Sequence, residues 1–139
     1  MNKVIEKEFS EFEKYHKNVF NIYFHIVCGF IFMTFLFLLS NNYSYVILFL
    51  YSALILFTIQ NLFITFVIFI ILFIMIYFMK GFKMSILNKS IIFIIFYFLP
   101  DLSHYLTNEH SMLNINNITP LSLFTNIFYL LPFSIMCLL

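Results

Sequence analysis

The polar positions of this chain are few and grouped. From Asn18 to Met79 there is no charged side chain, and the polar interruptions of the apolar run fall at Ser40-Asn41-Asn42 and at Gln60-Asn61. A bilayer core about 30 Å thick takes roughly 20 helical residues, so these breaks predict helices at about Phe20 to Leu39, Tyr43 to Ile59 and Leu62 to Met79. A polar loop with Lys80, Lys83 and Lys89 follows, and Ser90 to Leu99 is apolar again. Pro100 disfavours helix at the residue before it and has no amide proton to donate, so a fourth span is expected to kink or end there, with Asp101 and His104 in its last turn. Beyond the Asn- and Ser-rich stretch from Glu109 to Thr119, Pro120 to Leu139 is uncharged and long enough for a fifth membrane-embedded helix containing Pro132. The pattern predicts an all-α integral membrane bundle of about five apolar helices, in a single membrane domain covering residues 1–139.

The first 17 residues follow a different rhythm. Ile5, Phe9, Phe12 and His16 recur at steps of four, three and four, the stripe of an amphipathic helix lying at the interface. Lys3, Lys7, Lys14 and Lys17, with Glu6, Glu8, Glu11 and Glu13, form its solvated face. Ser10 and Glu13 have capping-box spacing, but such matches are common and the stripe already runs through Ile5. A cleavable secretory signal would not mix charges in this way, so the first span is expected to stay as an anchor.

Composition narrows the class. The chain is 63% hydrophobic and 9% charged, with a mean hydropathy of +1.02, where soluble domains carry about 25% charged residues. Seven Lys, no Arg and a net charge of +1 give no basic surface suited to nucleic acid. Twenty-two Phe and no Trp look like AT-rich codon usage at lipid-facing positions. Cys28 and Cys137 form neither a CxxC pattern nor a disulfide framework and read as small buried hydrophobes, with little thiolate at Cys28. No phosphate-binding loop, HExxH or GxSxG is present, and no filter-like Gly-rich loop suggests a channel.

The candidate chemistry rests on four histidines, His16, His25, His104 and His110, all near predicted span ends. His25 lies about one turn inside the first span, where an ionisable group should face a partner or a cavity. Asn18, Asn21 and His25 share one helix face. His16, nine residues before His25, would sit on the opposite face of one continuous helix, so convergence needs a break around Lys17 to Phe20. His104 and His110 converge only if the chain turns after Pro100, whereas Asp101, His104 and Asn108 align if the helix continues. The lysine distribution, four before the first span and three in the loop, leaves orientation open. Three crossings before that loop and a fourth after it return His104 to the side of His16 and His25. Imidazoles, with or without Asp101 or Glu109, suit iron, zinc, copper or nickel, and several His with open positions suit non-haem Fe(II) and oxygen chemistry. The competing reading makes the histidines interfacial side chains bonded to backbone or head groups.

Tyr15-His16, four residues, Asn21, three residues, His25, and later Ser103-His104 followed by Glu109, resemble the signature of the membrane-bound 2-hydroxy fatty acid dioxygenases typified by a fungal endoplasmic-reticulum enzyme. Cys28 stands where many members have Gly, a Pro expected shortly after is missing, and the His104 to Glu109 spacing is one residue longer than usual. The resemblance implies an Fe(II) enzyme in lipid catabolism that uses O2 to shorten a 2-hydroxy long-chain fatty acid by one carbon. It implies His16, His25, His104 and His110 as metal ligands, the first three catalytic, with Asn21, Tyr15, Lys17 and Glu109 supporting them or touching substrate. Lys14 or Lys17 would pair with the substrate carboxylate, in the endoplasmic reticulum or another internal membrane. A different class stays open: a non-catalytic small multi-span protein acting as scaffold or membrane-remodelling partner.

Overall fold

The computed structural model describes residues 1–109 and 120–139, and every regular element among them is helical. Helix α1 (Lys3–Tyr15) is followed by α2 (Val19–Leu39), a short 3-10 turn (Asn41–Tyr43), α3 (Ser44–Ile59), α4 (Leu62–Lys80) and α5 (Ile86–Thr107). Two shorter helices, α6 (Pro120–Phe128) and α7 (Leu130–Met136), complete the chain. The polar interruptions of the sequence are the helix caps. Side-chain oxygens of Asn2, Asn18, Asn61 and Ser85 accept the first free amides of α1, α2, α4 and α5. Gln60 and Asn108 close α3 and α5 in the left-handed conformation, at φ of 60° and 55°.

Four helices are long and apolar enough to cross a membrane: Val19–Leu39, Asn41–Ile59, Leu62–Lys80 and Ile86–Thr107. The helical fourth span does not end at Pro100 but runs on to Thr107. Only one intrahelical bond is lost at a proline, whereas leaving the helix in an apolar medium would strand many backbone groups. The stretch expected as a fifth long helix is instead divided at Tyr129 into α6 and α7. Pro132 cannot donate to the carbonyl of Phe128 four residues back, and the hydroxyl of Tyr51 donates to that carbonyl at 2.9 Å. The break is thus satisfied from α3.

Helix α2 occupies the centre. In its most apolar stretch 61% of the residues are buried, against 11% for α5, whose outer face is apolar and exposed. Phe32, Met33 and Phe37 of α2, Leu48 and Ile55 of α3, and Ile64, Ile68, Leu72 and Ile76 of α4 form the core, the last four at the helical repeat. Helix α7 meets α2 at Gly29, where an added Cβ would lie 3.3 Å from Leu131 Cβ. The α1 stripe packs inward as expected, with Ile5, Phe12 and His16 buried, and the rings of Phe9 and Phe12 lie 5.4 and 5.6 Å from that of Phe133 on α7. The up-and-down course of α2 to α5 places the start of α2, the α3–α4 turn and the end of α5 at one end of the bundle. The α2–α3 turn and the α4–α5 loop lie at the other.

Candidate metal centre

The chain leaves α1 at Tyr15, turns through residues 16–18 and enters α2 at Val19, the break that convergence of His16 and His25 requires. His16, with φ −127° and ψ 72°, turns its ring back over α1. Its Nδ1 lies 2.7 Å from the carbonyl of Phe12, and the ring stacks on that of Phe12 with centroids 3.6 Å apart. His25 makes the same kind of bond one helical turn back, Nδ1 to the carbonyl of Asn21 at 2.9 Å. A carbonyl can only accept, so both Nδ1 atoms carry protons and both Nε2 atoms present lone pairs. Those two Nε2 atoms are 3.2 Å apart.

Two lone pairs facing each other at that distance repel unless something positive lies between them. Burial, and then the neighbouring His25, hold the His16 imidazole down at about 3, so a proton does not serve near neutral pH. A metal cation does. Held about 2.1 Å from each nitrogen, it spans nitrogens about 3.0 Å apart at right-angled ligation and about 3.4 Å apart at tetrahedral ligation, which brackets the spacing found.

His104 of α5 completes the group. One ring nitrogen from each of His16, His25 and His104 lies within 4.8 Å of the others, and all three residues are buried. The three residues are close enough to bind a metal ion. His104 is held differently, because its Nδ1 faces the Asn21 amide nitrogen at 3.1 Å. That same nitrogen donates to Glu109 Oε2 at 2.6 Å, and a carboxylate can only accept, so the amide's NH2 also donates to His104. The Nε2 of the metal-free His104 ring therefore carries the proton. A cation finds two ready lone pairs on His16 and His25, and takes a third from His104 with release of a proton or loss of the Asn21 bond.

The carbonyls of Phe12 and Asn21 fix the His16 and His25 rings as metal-site surroundings commonly do. The Ser103 hydroxyl donates to Asn21 Oδ1. Glu109 Oε1 accepts the backbone amides of Lys17 and Asn18, each at 2.8 Å. Burial pushes the Glu109 carboxyl upward, but these bonds and the one from Asn21 outweigh it and hold it below the usual carboxylate range. Glu109 thus ties the end of α5 to the start of α2 and is engaged with amides. Asn18 caps α2 with its side chain and serves Glu109 through its backbone, so of the expected polar stripe Asn21 and His25 enter the centre. Asp101 is half-buried outside the group of three, and Tyr15, also half-buried, does not bond to it. His110 lies outside the described residues. Ser103 and Phe12 are the contributors that sequence reasoning did not single out for these roles. Their signals were adjacency to His104 and membership of the α1 stripe.

Beside His16 an open hollow of about 610 Å³ is lined by the charged residues Glu13, Lys14 and Lys17 and by the apolar residues Val19, Ile22 and Leu138. Compared with protein-family models, curated proteins and solved structures, the chain matches none of them.

Proposed function

We propose that this chain is a membrane-embedded, Fe(II)-dependent dioxygenase that shortens 2-hydroxy long-chain fatty acids by one carbon, in the endoplasmic reticulum or another internal membrane. The observation that carries the reading is the opposed pair of Nε2 atoms of His16 and His25, 3.2 Å apart with both Nδ1 atoms engaged by carbonyls. The resemblance built on Tyr15, His16, Asn21 and His25 supplies the reaction class. Fe(II), when bound, supplies open coordination positions and the electrons that make dioxygen reactive.

The residues do the rest. His16, His25 and His104 hold the metal, and Asn21 with Glu109 keeps the His104 ring from turning. Lys17, in the lining of the hollow beside His16, attracts the carboxylate of an amphiphile, Lys14 being paired with Glu11 at 2.6 Å, while Val19, Ile22 and Leu138 receive the start of its chain. A bilayer-dissolved acid thus presents its carboxylate and 2-hydroxyl beside the histidines. In the overall reaction, RCH(OH)COOH and O2 give RCOOH, CO2 and water. The bond between the first two carbons breaks, and dioxygen takes up the electrons removed from them.

The test is mass-spectrometric conversion of 2-hydroxypalmitate to the acid one carbon shorter in Fe(II)-supplemented membranes. His25→Ala at equal membrane abundance is the control. Conversion by the parent chain and loss of at least a hundredfold in the variant are expected; equal conversion by both overturns the assignment. Absence of conversion in both overturns the substrate. Metal content of the purified chain then separates another metal-dependent activity from a non-catalytic scaffold, which would carry no stoichiometric metal.

A further inference from the structure

At the end of the bundle away from the histidines, the α2–α3 turn and the α4–α5 loop enclose a second hollow of about 290 Å³. It is lined by Asn41 and Asn42 from the turn and by Lys80, Lys83 and Lys89 from α4, the loop and α5. Its charge is unbalanced within the chain. The six acidic residues are Glu6, Glu8, Glu11, Glu13, Asp101 and Glu109, and all of them lie in α1, in α5 beyond Pro100 or just past the end of α5, at the histidine end.

Two of the three ammonium groups are held in place. Lys89 Nζ donates to the carbonyl of Leu38 in the last turn of α2, at 3.3 Å. Lys80 Nζ lies 4.3 Å from the centroid of the Tyr45 ring. The amides of Asn41 and Asn42 add neutral donors at the same rim. Such a set, three cations and two amides around one concavity, suits a phosphate group. The flanking surface identifies what carries it: Phe82, Ile86 and Leu87, beside the lysines, are each about two-thirds exposed. A phosphate arriving alone would leave that apolar rim in water, whereas a phosphate attached to acyl chains covers it.

We propose that this hollow binds the phosphate headgroup of an anionic phospholipid in the leaflet that faces it. The site is independent of the histidine centre and of the reaction assigned to it.

The test uses the purified full chain in phosphatidylcholine nanodiscs, with native mass spectrometry counting lipids retained per chain. Dioctanoyl phosphatidic acid is titrated beside dioctanoylglycerol, which lacks the phosphate, and beside inorganic phosphate. One saturable phosphatidic acid per chain is expected, unmatched by the other two ligands. A surface lysine contributes roughly a fivefold change in anionic-lipid affinity, so K83Q should bind roughly fivefold more weakly and K80Q/K83Q/K89Q more weakly still. K3Q/K7Q, which removes two lysines from the other end, should bind as the parent does. Equal binding of inorganic phosphate overturns the lipid assignment. Equal weakening in K3Q/K7Q and the triple variant, or no weakening in K83Q, overturns the site. K83Q keeps the inference testable where the triple variant inserts poorly.

Discussion

The two ends of the bundle solve the same problem in opposite ways. At the histidine end, polar groups lie inside the protein and bond to one another, except the Nε2 atoms of His16 and His25, whose lone pairs face each other. His16, Asn21, His25, Ser103 and His104 are all buried. At the lysine end, three charges sit at the rim of a hollow and the chain offers no acidic group to meet them. A group buried in an apolar medium has to be partnered from within or by a bound ion, because an unpaired one costs several kcal/mol. A charge at the bilayer surface can be left for headgroups to answer. The difference separates a site built by tertiary structure from one completed by the membrane.

The comparison is broken most severely by His25→Ala, which removes one of the two facing ring nitrogens. Loss of a supporting partner already lowers metal affinity about 10- to 100-fold and loss of a ligand costs more, so the variant should release metal at chelator concentrations the parent resists, as read by elemental analysis. K83Q should retain metal as the parent does. Equal metal loss in both variants would mean that the two ends are not separate sites.

Acidification is the next largest perturbation, and its sign follows from His16. Burial, and then His25, lower this imidazole from its ordinary 6.5 to about 3 in the folded chain. The unfolded chain takes up that proton first, so folding stability of the metal-free protein is full above about pH 6.5 and falls as the pH drops toward 3. Glu109, held below the usual carboxylate range, adds a loss of the same sign at the acid end. Thermal unfolding followed by circular dichroism should show a midpoint that declines from pH 7 to pH 4. Over the same interval phosphatidic acid binding at the lysine end should persist. A midpoint that rises on acidification would contradict the tautomers assigned to the centre.

The smallest effect sharpens the contrast within the interior. Tyr51→Phe leaves the carbonyl of Phe128 without its donor, a loss of about 1 kcal/mol, detectable as a modest fall in unfolding midpoint with metal content unchanged. No change in midpoint would mean that water or a neighbouring group replaces the hydroxyl.

Much of the framework was legible in the chain because polar residues are expensive in an apolar run. Asn18, Ser40 to Asn42, and Gln60-Asn61 stand at helix ends for that reason, so the breaks in hydropathy and the caps of the structure coincide. The meeting of His16, His25 and His104 was legible through the odd number of crossings between His25 and the lysine loop, and the α1 stripe through its spacing. The prolines were harder to read. Pro100 looks locally like a terminator, yet the medium holds the helix together. Pro132 divides its stretch with the help of Tyr51, a residue distant in sequence whose hydroxyl no local pattern reveals. Which ring nitrogen of each histidine carries the proton was equally hidden, since it depends on the carbonyls of Phe12 and Asn21 and on an amide oriented by Glu109.

The clasp made by Glu109 on Lys17 and Asn18 joins positions 92 and 91 residues apart, and this distance sets an order of events during biosynthesis. When α2 first enters the membrane, Asn21 and His25 have none of their partners from α5, because that helix has yet to be made. A chain stalled after three insertions therefore carries an exposed, sticky pair of polar side chains near the membrane surface. That exposure ends when the fourth helix arrives and Glu109, just past its end, closes the clasp.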